Sequence, residues 1–135
     1  MSNPFENAPV IFSYSRAQAI EDGVLVELDP ATVREAGFKF PIAMTSAAFS
    51  QVVWPIDDEK SAAWLTKHGQ DFQGRLWDVL SVLRFAVRRG GAQLTMIVKV
   101  LNHRTKCRQN VTLKSVCGPG DNLEPVITIM LPDED

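Results

Sequence analysis

The chain has 135 residues, 45% of them hydrophobic and 22% charged, with two cysteines and a net charge of −2. That balance is globular rather than disordered, the length suits one domain over residues 1–135, and two thiols are too few for a secreted disulfide framework. No run approaches the ~18 apolar residues of a membrane span, and residues 1–7 have neither a basic nor an apolar leader character. The expectation is a cytoplasmic protein with no membrane partner.

Residues 10–14 read as a short strand. Ser15 with Gln18 three positions on has the spacing of a capping box and predicts a brief helix, which Glu21-Asp22-Gly23 ends. Residues 24–28 are short, apolar and partly β-branched, as a strand requires. Asp29-Pro30 opens a second helix, which Gly37 stops. Residues 40–44 read as an extended link, after which Thr45 caps a helix ending near Trp54-Pro55. Asp57-Asp58-Glu59 places acidic charge on the first turn of another helix, closed by Gly69.

The clearest element is a long helix over residues 73–89. Leu76, Val79, Leu80, Leu83, Ala86 and Val87 recur at helical spacing, and Trp77, Val82 and Phe85 widen the stripe so far that most of the circumference should be covered. Beyond Gly90-Gly91 the period falls to two. Residues 94–101 and 110–116 alternate, residues 118–122 turn the chain, and residues 126–131 form a last, nearly all-apolar strand. The fold class expected is α+β, with one long central helix and short N-terminal helices packed on a small antiparallel sheet.

Chemistry-bearing motifs are sparse. Gly90-Gly91 follows a helix, and Gly118-Pro119-Gly120 lacks the Lys-Ser/Thr of a phosphate loop. His68, His103, Cys107 and Cys117 have no C-x-x-C or H-x-x-x-H spacing, so no metal or other cofactor is expected. Cys107 lies between Lys106 and Arg108, which favours thiolate, but no base or carboxylate accompanies it in the segment. Glu21-Asp22 and Asp57-Asp58-Glu59 sit at helix ends, where capping explains them. Trp54, beside Pro55, is a candidate interface anchor.

Charge is divided into blocks. Residues 1–78 hold eleven acids against six bases, residues 79–120 hold eight bases and no acid, and residues 121–135 hold five acids and no base. Arg104, Lys106 and Arg108 are candidate phosphate or nucleic-acid contacts. No aromatic is interleaved from His103 to Gly120, which disfavours a base-stacking platform. The basic block is either a face for an acidic ligand or is neutralised by the acidic ends of the chain.

Four stretches together carry a resemblance: Ser15-Arg16-Ala17-Gln18-Ala19-Ile20-Glu21-Asp22-Gly23-Val24-Leu25-Val26, then Glu35-Ala36-Gly37-Phe38, then Gly74-Arg75-Leu76-Trp77-Asp78-Val79-Leu80, and Val116-Cys117-Gly118-Pro119-Gly120-Asp121 with Glu124-Pro125-Val126-Ile127-Thr128-Ile129-Met130-Leu131. The chain resembles a family of short uncharacterised proteins encoded on bacterial plasmids, integrative elements and phages. The resemblance carries no activity or site residues. It implies a mobile-element accessory protein, a class in which inhibitors of host defence are common. Three functional expectations remain open: a non-enzymatic interaction protein with a host or element-encoded partner, a nucleic-acid-associated factor, and an enzyme whose site is assembled from distant residues. Thiol titration of the native protein should count two free cysteines, and metal analysis should find no stoichiometric zinc.

Overall fold

The computed structural model of the protein describes residues 14–91 and 93–134. The strand expected at residues 10–14 therefore lies, apart from Tyr14, outside the described residues. Among those described, the elements run α1 (Arg16–Glu21), β1 (Leu25–Glu27), α2 (Pro30–Glu35), β2 (Ile42–Thr45), α3 (Ser46–Val52), α4 (Glu59–Lys67), α5 (Phe72–Val87), β3 (Gln93–Asn102), β4 (Cys107–Pro119) and β5 (Pro125–Met130). No helix among them is long and apolar enough to cross a membrane.

Each helix begins where a side-chain oxygen accepts from an otherwise orphaned amide. Ser15 Oγ takes Gln18 N at 2.9 Å, Asp29 Oδ2 takes Thr32 N at 3.2 Å, and Thr45 Oγ1 takes Ala48 N at 3.3 Å. Asp58 and Asp71 cap α4 and α5 in the same way. The capping box expected at Ser15 is only half made. Asp121, arriving from the β4–β5 turn, already accepts from the amides of Arg16 (2.7 Å) and Ala17 (3.0 Å), and Gln18 Nε2 donates to Asp22 instead.

The five strands form one sheet in the order β1-β2-β5-β4-β3. β1 with β2, β5 with β4, and β4 with β3 are antiparallel, but β2 and β5 run parallel, Ile42 opposite Ile127 and Met44 opposite Ile129. The sheet is therefore mixed, which corrects the expectation of an antiparallel one. Residues 40–44 are likewise no mere link, since β2 is an interior strand. All four of its residues are buried, so it has no polar alternation to betray it.

One face of the sheet carries the main core. Ile42, Met44, Ile127, Ile129, Leu113, Met96, Val98 and Val100 meet Phe49, Val52, Leu76, Val79, Leu80 and Leu83 there. α5 lies chiefly along β3. Its buried residues are Arg75, Leu76, Val79, Leu80, Leu83 and Ala86, whereas Phe85 is 66% exposed and Trp77 37% exposed. The helix is thus covered along one face only, not round most of its circumference. A single sheet face lies beneath it, and the wider apolar residues point past that contact.

The opposite sheet face divides in two. On the β1-β2-β5 side Ala19 of α1 is buried, together with Ala43, Val126 and Met130. On the β3-β4 side Thr95, Ile97, Lys99, Asn110 and Thr112 are exposed. Leu80→Ala or Leu83→Ala should lower stability by about 2–5 kcal/mol, the usual loss at a buried leucine. Phe85→Ala should stay within about 0.5 kcal/mol of the parent. Chemical denaturation measures both, and equal losses at all three positions would place the helix wrongly.

Candidate functional site

The β3–β4 hairpin ends in a loop shaped by Asn102. Its buried Oδ1 accepts from Arg104 N at 2.7 Å and Thr105 N at 3.4 Å, while its Nδ2 donates to Gln109 Oε1 at 2.8 Å. Lys106 then takes a left-handed φ of 62° and donates its amide to Asn102 O at 2.8 Å. That compact loop sends the expected basic residues in different directions. Lys106 Nζ rests 4.3 Å from the centroid of the Trp64 ring, a cation–π contact, and Trp64 in turn stacks on His68. Arg104 lines a cleft. Arg108 pairs with Leu101 on the sheet face away from the core. Arg104 and Lys106 both lie close enough to His103 to disfavour its charged form, while Arg108 stands on the outer sheet face. Trp54 is half-buried, packed against the core with its ring edge-on to Phe72 at 6.4 Å.

The cleft beside Arg104 has a volume of about 450 Å³ and is walled by His103, Ser50, Asp57, Asp58 and Ser61. His103 is only 7% exposed, and its Nδ1 is buried with no hydrogen-bond partner among the described residues. Burial pushes its pKa below the ordinary value, helped by Arg104 and opposed by Asp58. That balance favours the neutral imidazole. Asp58 instead accepts from Ser61 N (3.1 Å) and Ser61 Oγ (2.6 Å), which hold its carboxyl below the usual carboxylate range. Cys107 and Cys117 are exposed and unpaired. No group of three His, Cys, Asp or Glu among the described residues is placed to hold a metal ion.

Below this cleft lies Arg75, which sequence reasoning passed over. It is 3% exposed, and its Nε donates to Val53 O at 2.7 Å while Nη1 donates to Leu101 O at 3.1 Å and Gln70 Oε1 at 3.2 Å. Burial lowers its pKa, against the charge of Asp78, yet a guanidinium keeps its proton. The signal was present in the sequence. Arg75, Val79 and Leu83 fall at intervals of four on the apolar stripe, so a charge was due to be buried there.

The other half of the basic block forms a surface. On the outer face of β3 and β4, Lys99 stands beside Arg108 and Asn110, and Lys114 lies opposite Thr95. Ile97, 57% exposed, sits among them opposite Thr112. Three cations and one exposed aliphatic residue thus share this open sheet face.

These features define a small α+β domain with a mixed five-stranded sheet, one face of which is half open and basic. The chain belongs to a family of unknown function, DUF6573, whose model matches residues 1–135. No curated protein and no solved structure matches it.

The His103 environment generates a pH dependence. A base whose folded pKa lies below its unfolded value of about 6.5 contributes stability that is complete above that pH and falls as the pH drops through the window beneath it. Denaturation at pH 5 and pH 7.5 should therefore show the parent losing stability on the acid side. His103→Gln should lose less, and an unchanged difference between the two pH values would remove His103 as the cause.

Proposed function

We propose that this chain is a non-enzymatic interaction protein, an accessory of a mobile genetic element that binds a host or element-encoded protein in the cytoplasm and blocks a host defence complex. The observation that carries the reading is the outer face of the β3–β4 hairpin, along which Lys114, the exposed Ile97, Lys99 and Arg108 follow one another. A partner with an acidic surface fits it. Charge of one sign on such a face steers encounter and rejects basic partners, and an exposed aliphatic residue at its centre gives the partner apolar area to bury. A duplex-binding role is less well supported: Lys106 rests on Trp64, and Arg104 lines a cleft shared with Asp57 and Asp58.

A tagged chain expressed in a bacterial host should retain a stoichiometric acidic protein. Lys99→Glu with Arg108→Glu should abolish that retention while leaving the melting temperature within a few degrees, because both side chains are exposed. Expression of the parent, but not of the double variant, should raise plasmid transfer or phage infection in a host with an active defence system. Tight retention on duplex DNA at about 150 mM salt, close to physiological strength, with loss in the same double variant, would replace this reading with the nucleic-acid one.

A further inference from the structure

On the core side of the sheet, opposite the basic hairpin face, α5 ends before it reaches the far end of the strands. The gap is a slot of about 310 Å³ between the helix end, the loop after α2 and the starts of β3 and β5. Its walls are Phe38, Phe40, Val87, Leu94, Cys117 and Ile127. Phe38 and Ile127 are buried, while Phe40 and Val87 are each 42% exposed, so the apolar lining is open to solvent. The rim is basic. Lys39 lines it. The Arg84 guanidinium lies 3.4 Å from where a side chain on Gly37 would begin, a position closed to one by its φ of +99°. Glu35 is the nearest acid in the flanking sequence.

We propose that this slot is a second docking site, for a peptide segment of a partner protein that presents one large apolar side chain flanked by Asp or Glu. The slot lies at the small end of ligand clefts, about 300 Å³, which suits a single anchoring side chain rather than a cofactor. Lys39 in the lining and Arg84 beside Gly37 make acidic flanks favourable and basic ones costly. The proposal makes no use of Lys99, Arg108 or Lys114, so it stands or falls apart from the hairpin face.

The test is selection of a displayed library of random twelve-residue peptides on the immobilised full chain. Enriched sequences should place Leu, Ile, Phe or Trp between acidic residues. A synthetic copy of the leading peptide should slow thiol labelling of Cys117 several-fold in a Cys107→Ser background. Val87→Glu and Lys39→Glu should each weaken its binding about tenfold or more, and Lys99→Glu with Arg108→Glu should leave it unchanged. Circular dichroism must show the variants folded, and Lys39→Glu, on an exposed loop residue, keeps the test valid if Val87→Glu does not fold. No enrichment, enrichment without acidic residues, or binding that leaves Cys117 labelling unaltered would overturn the proposal. So would sedimentation showing a dimer that Val87→Glu dissociates, since the occupant would then be a second copy.

Discussion

A buried arginine without a carboxylate partner holds three parts of this domain together. Arg75 leaves α5 and donates to Val53 O, at the end of α3, and to Leu101 O, near the end of β3. Helix ends and strand ends leave such groups orphaned, and inside a core each orphan costs about 1–3 kcal/mol. A planar guanidinium with donors at fixed angles answers several at once, which a lysine ammonium does not do. That one side chain thus ties the end of α3 to α5 and β3, while the apolar residues of α3 fix it on the core.

The two faces of the sheet are stabilised by different means. The helical face is an apolar core of ordinary kind. The other face is tied down at one end by polar clamps. Arg16 donates to Thr128 Oγ1 at 2.7 Å and to Ile127 O at 2.9 Å, while Asp121 holds the first amides of α1. Glu134 reaches Thr45 Oγ1 at 2.6 Å. Opposite ends of the chain thus meet over β2 and β5. The β3–β4 end of the same face carries its charges outward, and that asymmetry is what gives the domain a side to present.

Local rules recovered most elements and missed their arrangement. Helix starts were legible because Ser15, Asp29, Thr45 and Asp58 act within three residues of themselves. The β3–β4 pairing was legible because alternation is a local pattern. The parallel pairing of Ile42 with Ile127 has no local signature, since both strands are short and almost wholly buried. The basic residues were visible, but their directions were not. The left-handed Lys106 and the Asn102 side chain decide those, and nothing in spacing announces either. His103 stood in the sequence as a weak metal candidate. Its burial beside Arg104 follows only from where the hairpin tip meets α3 and α4.

The β2–β5 pairing also bears on how the molecule is made. β2 is an early strand and β5 the last of those described, and contacts between distant parts of a chain form slowly because the loop between them must close first. On the ribosome, β2 emerges with its hydrogen-bonding edge unfilled and waits through the synthesis of some eighty further residues. During that wait the nascent chain exposes Ile42 and Met44, and the β3–β4 hairpin can form alone but has no partner strand to dock against. Completion of the sheet therefore waits for the synthesis of β5.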